Sequence, residues 1–257
     1  MTVLSYLQNR ASNAVLSSSE KESITTSIAT LQTRLNSYFG NNIKNKFQFG
    51  SSTRGTILPR SMDSHSDIDY MIVFYNGNYT PQTYLNNLRT FVERHYSTSE
   101  IRQSHPTIVL ELNHIKFDLV PAIEDSWEKL KIPDKSNNWQ YTDPNDFNNN
   151  LTIKNTNEKS LIKPTIRLVK YWNVKNDYLY NSFELEKWII GLNFWNCANQ
   201  RDYLFAVFDN LNPYNENTQW RKDKITRAKK IIAQVREYEN QNMPYSAETE
   251  VKNLIPE

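Results

Sequence analysis

Two aspartates one residue apart, Asp67 and Asp69, stand downstream of a Gly-Ser pair in the stretch FGSSTRGTILPRSMDSHSDIDYMIVF, residues 49–74. The chain has five glycines, and two of them, Gly50 and Gly55, lie here. In a strand, residues i and i+2 point to one face, so Asp67 and Asp69 project together while Ile68 faces a core. Their repulsion calls for cations, and hard carboxylate oxygens suit Mg²⁺. A third carboxylate is expected from a neighbouring strand, and HIKFDLVPAI supplies Asp118 between Phe117 and Leu119. A charge buried there needs a partner. Three such groups can hold two ions ~4 Å apart for in-line attack on a phosphate. Upstream, Gly50 lets the backbone bend and approach a ligand, and the N–H groups and hydroxyls of Ser51 and Ser52 can face an anion. The plain alternatives are an exposed strand face with solvated acids and an N-cap serine after a turn. Gly-Ser, fifteen residues, then Asp-Ile-Asp is more specific than either feature alone.

The elements that must carry these residues can be read in outline. Residues 3–16 and 20–38 have helical patterns, with Ser19 and Glu22 fitting a capping box. Residues 44–49 read as a short strand, and Ile68–Tyr75, Thr107–Leu112 and His114–Val120 as strands, with a tight hairpin at Asn113. Residues 82–96 form a helix between them. From 124 to 150, prolines and many Asn and Asp read as a loop-rich crossing. Helices are expected at 156–175, 182–198 and 220–240, and a partly mobile tail after Pro244. The fold class is therefore α+β, a small mixed sheet with helices plus a C-terminal helical lobe, divided at 1–140 and 141–257.

Composition narrows the classes. The chain has 257 residues, 38% hydrophobic and 23% charged, with net charge +2. No apolar run approaches the ~20 residues of a membrane span, and MTVLSYLQNRASNAV does not read as a secretion signal. A single cysteine, Cys197, excludes an internal disulfide, and a reducing cytoplasm is the simplest home. The basic stretch from Trp220 to Glu239 also carries Asp223, Glu237 and Glu239, and reads as a solvated helix face. No strong nucleic-acid-binding signal is present.

FGSSTRGT…SDIDYMIVF with KFDLV resembles the polymerase-β-like nucleotidyltransferases. KPTIRLVKYWNVKND (163–177) and SFELEKWII (from Ser182) resemble a helix pair of the oligoadenylate synthases, cyclic GMP-AMP synthase and their bacterial relatives, the CD-NTases. This resemblance implies a bilobed, polymerase-β-like core and two Mg²⁺ ions, with Mn²⁺ possible, on Asp67, Asp69 and Asp118. It implies a donor triphosphate on Gly50, Ser51, Ser52, Lys170 and Ser182, and a base stacked on Phe183. The bland readings are a solvated Lys170, an N-cap Ser182 and a packing Phe183, while Ile166, Val169 and Trp172 read as core.

Cys197 and the scattered His65, His95, His105 and His114 lack metal-ligand spacing, and the charge is nearly balanced. A compact bacterial enzyme is therefore expected over a nucleic-acid-gated animal sensor. The implied activity is synthesis of a cyclic or short linear oligonucleotide messenger from NTPs, ATP among them, with release of pyrophosphate. The implied setting is antiphage (CBASS) signalling, with a separate effector acting through the product. The alternatives are a toxin–antitoxin-type transferase placing AMP on a protein or tRNA, and a nucleotide-binding pseudoenzyme, against which the presence of all three acids argues.

Overall fold

Along DIDYMIVF every second side chain from Ile68 onward is large and apolar, and after Tyr70 the intervening ones are apolar too. That pattern belongs to a strand covered on both faces. The computed structural model describes residues 2–75 and 77–257, and in chain order the elements are α1 (Val3–Asn13), α2 (Ser18–Phe39), β1 (Ile43–Phe49), α3 (Gly50–Arg54), β2 (Asp67–Phe74), α4 (Pro81–His95), β3 (Glu100–Ser104), β4 (Thr107–Glu111), β5 (Lys116–Glu124), β6 (Leu130–Pro133), β7 (Trp139–Tyr141), α5 (Asp146–Asn157), α6 (Ile162–Lys175), α7 (Ser182–Ile190), α8 (Gln200–Asn210), α9 (Gln219–Asn240) and α10 (Pro244–Lys252). Among these, no helix is long and apolar enough to cross a membrane.

The chain divides into two compact units, Leu16–Asn149 and a second made of the stretch up to Val15 with Asn150–Glu257. In the first, the strands lie in the order β1-β2-β5-β4-β3, with β6 pairing β5 and β7 pairing β6. β2 and β5 are parallel, whereas β1, β4 and β6 run antiparallel to their partners. One face of the sheet presents Ile68, Tyr70, Ile72, Phe117, Leu119, Ile108 and Leu110 to α2 and α4, which contribute Leu31, Leu35, Leu85, Leu88 and Phe91. This is the main core. The buried Tyr70 hydroxyl accepts a hydrogen bond from Gln32 Nε2 at 2.9 Å, so no polar group is stranded there. On the opposite face a smaller cluster, Met71, Val73, Val120 and Ala122 with Phe47 and Phe49, covers only part of the sheet. Pro121 lies on β5 between its last pairing with β4, at Leu119, and its first with β6, at Ile123. A residue without an N–H is tolerated where a ladder is interrupted.

In the second unit, Ile166, Val169 and Trp172 are buried as their helical spacing predicts, and Trp172 meets Phe208 edge to face at 5.0 Å. Helix α1 belongs to this unit rather than to the sheet, unlike the expected 1–140 division. Its buried face of Val3, Tyr6, Leu7 and Ala11 packs with α6, α8 and α10. On α9, Arg236 bonds Asp209 at 2.6 Å and Lys229 donates to the carbonyls of Asp209 and Leu211, while Arg227 and Lys230 are exposed.

Several local expectations need correction. The capping box of α2 is formed by Ser17 and Glu20, not Ser19 and Glu22: the same spacing occurs two residues earlier and starts the helix there. The 124–150 interval holds the β6–β7 hairpin and the start of α5. The helix expected at 156–175 is two helices, broken where Lys159 and Ser160 adopt positive φ. The one expected at 182–198 ends at Ile190. Most plainly, the segment after Pro244, expected to be partly mobile, is folded and packed. Pro244 opens α10, Val251, Leu254 and Ile255 are buried, and the Tyr6 hydroxyl donates to the Ile255 carbonyl at 2.6 Å. Ile255→Ala should therefore destabilise the chain by about 2–4 kcal/mol in a denaturant titration, whereas a loose tail would leave the midpoint within about 0.5 kcal/mol of wild type.

Candidate active site

The strand register assembles the acids. β2 and β5 align in parallel with Asp67 opposite Lys116 and Asp69 opposite Asp118. Directly opposed residues share a face, so the three carboxylates of Asp67, Asp69 and Asp118 point the same way, with Ile68 and Phe117 buried behind them. β1 ends with Phe49 opposite Asp69, which carries the next residue, Gly50, over the Asp69 carboxylate. Gly50 has φ +74°, and a Cβ there would come within 1.8 Å of Asp69 Oδ2. No side chain fits, so glycine is required both for the turn and for the close approach. Gly55, at φ +72°, closes the short helix α3 in the left-handed region.

The interval from Thr56 to Ser66 returns the chain from α3 to β2. Ile57, Leu58 and Met62 are buried, and Met62 and Asp63 donate their N–H groups to the Pro59 carbonyl. Arg60 ties this interval to the β4–β5 hairpin through Glu111 at 2.7 Å and the Leu112 carbonyl at 3.3 Å. Ser51 and Ser52 are the second and third residues of α3, and the Ser52 hydroxyl donates to the Phe49 carbonyl at 3.2 Å.

The electrostatics are those of a crowded acid site. Burial, then the charges of Asp67 and Asp118, push the Asp69 carboxyl up to about 8, against the opposing pull of Arg54 and Lys116. Burial and Asp67 raise Asp118 to about 6, against Lys116 and Arg102. Asp118 Oδ1 is buried with no hydrogen-bond partner. Lys116, which sequence reasoning missed, places Nζ 3.0 Å from Asp67 Oδ2 and 3.8 Å from Asp118 Oδ1. Among the described residues no three acids, histidines or cysteines are gathered as a finished metal-binding set. The donor chemistry nonetheless fits a divalent cation: hard oxygens, an orphaned buried acceptor, and carboxyls whose mutual repulsion a cation relieves.

Lys170, Ser182 and Phe183 lie in the second unit. Lys170 is not a solvated lysine: it is 6% exposed, and its Nζ sits 3.1 Å from Oε1 of the buried Glu186 on α7. Ser182 is the first residue of α7, but the cap is Asn181, whose side chain accepts the N–H groups of Phe183 and Glu184. Phe183 is 41% exposed, with Lys187 Nζ 5.4 Å from its ring centre. The Lys170–Glu186 pair was also missed, because no periodicity links two charges on different helices.

Two outcomes follow from the acid corner. Gly50→Ala should lower stability by about 1–3 kcal/mol, read by denaturant titration, because it strains the turn and displaces Asp69. The second concerns pH. Asp69 ionises near 3.8 as a free carboxyl but near about 8 in the fold, so between these values the folded state holds more protons than the unfolded state. The metal-free fold should therefore weaken as pH rises through this window, with Asp118 acting in the same direction up to about 6. Asp69→Asn removes the larger part. In chelator, its unfolding midpoint should approach that of wild type toward pH 3.8 and exceed it by a margin that grows up to about pH 8.

Comparison with known proteins bears directly on this geometry. Residues 1–155 match the family model of the Second Messenger Oligonucleotide or Dinucleotide Synthetase (SMODS) domain. A protein of Bacillus cereus (strain VD146) named as a probable cyclic nucleotide synthase is 29% identical over 133 residues, 48% of this chain and 40% of that protein. This chain thus spans about two fifths of that curated relative's length. Among solved structures, Vibrio cholerae DncV cyclic AMP-GMP synthase with the linear intermediate 5′ pppA(3′,5′)pG superposes with a TM-score of 0.79 at 10% identity, over 99% of this chain and 96% of that one. Escherichia coli MS115-1 CdnC with ATP gives 0.71 at 16%, over 99% and 98%. The Bradyrhizobium diazoefficiens CD-NTase CdnG with GTP gives 0.70 at 11%, over 96% and 97%. At these identities the structures speak to the fold, which is the polymerase-β-like mixed sheet with helices found in the CD-NTases. The family match covers well over half of the chain and contains the Gly50 turn and all three aspartates, so the protein belongs to the second messenger oligonucleotide or dinucleotide synthetases.

Proposed function

We propose that this chain is a nucleotidyltransferase that joins NTPs, ATP among them, into a cyclic or short linear oligonucleotide messenger with release of pyrophosphate. The observation that carries this reading is the register of β2 against β5, which sets Asp67, Asp69 and Asp118 on one face beneath the Gly50 turn. An acid cluster that weakens its own unit as pH rises from 3.8 toward about 8 has a reason to exist if cations and phosphates meet there. The family match and the nucleotide-bound relatives support the choice of substrate.

In this reading the backbone of the Gly50–Ser52 turn, with the Ser51 and Ser52 hydroxyls, cradles the donor phosphates. Ser52 must turn away from the Phe49 carbonyl to take part. The acceptor hydroxyl is held at the Asp118 end of the acid row, loses its proton there, and attacks the donor α-phosphorus while pyrophosphate leaves. Asp67, Asp69 and Asp118 are the residues that would hold two Mg²⁺ ions, or Mn²⁺, whose charge when bound neutralises the phosphates and favours the alkoxide. Lys170 and Ser182 are assigned to the triphosphate and Phe183 to a stacked base on the family pattern. For Lys170 this requires a phosphate to compete with Glu186. Positioning and charge neutralisation supply most of the rate enhancement. The biological setting proposed is bacterial antiphage (CBASS) signalling in the cytoplasm, with a separate effector reading the product.

Incubation of the pure protein with labelled NTPs and Mg²⁺, with or without cell extract as a source of activating cue, tests the reading. Low-molecular-weight oligonucleotides are expected, and a cyclic product resists phosphatase because ring closure consumes the terminal phosphate. Asp69→Asn should slow turnover ~10³-fold, equivalent to a loss of about 4 kcal/mol of transition-state stabilisation. Label found only on protein or tRNA would replace the messenger reading with AMP transfer to a macromolecule.

A further inference from the structure

Lys116 occupies a place that ordinary sheet-surface pairing does not account for. It begins β5, two residues before Asp118, and stands in a cross-strand row between Glu111 on β4 and Asp67 on β2. Two acids therefore compete for its ammonium. Glu111 is already taken: Arg60 reaches it at 2.7 Å from the interval that precedes β2. Lys116 instead leans over the acid row, at 3.0 Å from Asp67 Oδ2 and 3.8 Å from Asp118 Oδ1. Its side chain is 12% exposed, so the charge has been drawn out of water into the site. The second contact is too long for a hydrogen bond, and Asp118 Oδ1 stays without a partner. Arg54 and Arg102 also pull on the row, but the Lys116 ammonium stands at hydrogen-bond distance from it, and there it reaches only Asp67.

We propose that Lys116 is the resident counter-cation of the acid row and competes with the divalent cation for it. This rests on the reading of Asp67, Asp69 and Asp118 as the cation-holding residues. With its ammonium in place, Lys116 lowers the repulsion that would otherwise load the metal-free fold. It also lowers the affinity of the row for a bare divalent ion, because a charge a few ångströms away must be moved before an ion can take both Asp67 and Asp118. A nucleotide shifts the balance, since its phosphates add ligands for the ion and offer the displaced ammonium a new anion. Lys116 therefore makes the site take up its cation together with NTP rather than alone. It acts through the aspartates and is a positioning residue.

The probe is Mn²⁺ alone, titrated into the full chain without nucleotide, with free ion counted by electron paramagnetic resonance. Lys116→Met should bind Mn²⁺ roughly tenfold more tightly than wild type, a shift of about 1.4 kcal/mol, while Lys116→Arg should stay near wild type because it keeps the charge. In chelator, Lys116→Met should unfold at lower denaturant than wild type, and saturating Mn²⁺ should reverse that order. Wild type supplies a check that needs no variant: limiting acetylation mapped by mass spectrometry should label Lys116 faster once Mn²⁺ is added. Equal or weaker Mn²⁺ binding by Lys116→Met, or Lys116 labelling that does not rise with Mn²⁺, overturns the competition while leaving the acids as cation ligands. Absence of Mn²⁺ binding in wild type and variant alike overturns both, and separates failure of the site reading from failure of the role given to Lys116.

Discussion

Everything in the sheet unit that could do chemistry depends on the parallel pairing of β2 with β5. Parallel strands need a long crossover, and here α4, β3 and β4 supply it between Phe74 and Lys116. The pairing could in principle settle in several registers. The apolar face decides among them: Ile68, Tyr70 and Ile72 share a core face with Phe117 and Leu119, and a slip by one residue would expose that set and bury the acids. The core therefore selects the register, and the register places Asp69 beside Asp118.

The two faces of the sheet divide the work. The face against α2 and α4 holds the main core, and the hydroxyl of its buried Tyr70 has a partner in Gln32. The opposite face carries a small apolar cluster at one end and the acid row at the other. Concentrating repulsion at one end of that face is tolerable because the core on the far side offsets it. Arg54, Lys116 and Arg102 moderate the repulsion without removing it. Gly50 completes the corner by allowing backbone to lie against Asp69.

The second unit shows charge handled differently. Lys170 and Glu186 are buried together and pair with each other across two helices. Removing one partner from such a pair leaves a buried charge and costs more than the pair itself contributes. The same unit uses Asn181 rather than Ser182 as the cap of α7, which leaves the Ser182 side chain out of the cap.

The sequence by itself determined the elements whose signals are local. The i, i+2 geometry of Asp67 and Asp69, the use of glycine at position 50, the strand around Asp118, the helical core of α6 and the extent of α9 could all be read from residue type and spacing. The family resemblance rested on the same short motifs, which is why it pointed to the right fold. Tertiary structure alone decided the rest. The partner of Lys170, the lean of Lys116 toward Asp67 rather than Glu111, and the docking of α1 and the C-terminal residues in one unit all join positions far apart in the chain. The choice between Ser17 and Ser19 as the start of α2 was ambiguous because both satisfy the same local rule. Long-range pairing is set by which apolar faces can be buried together, and no local spacing encodes that sum over the whole core.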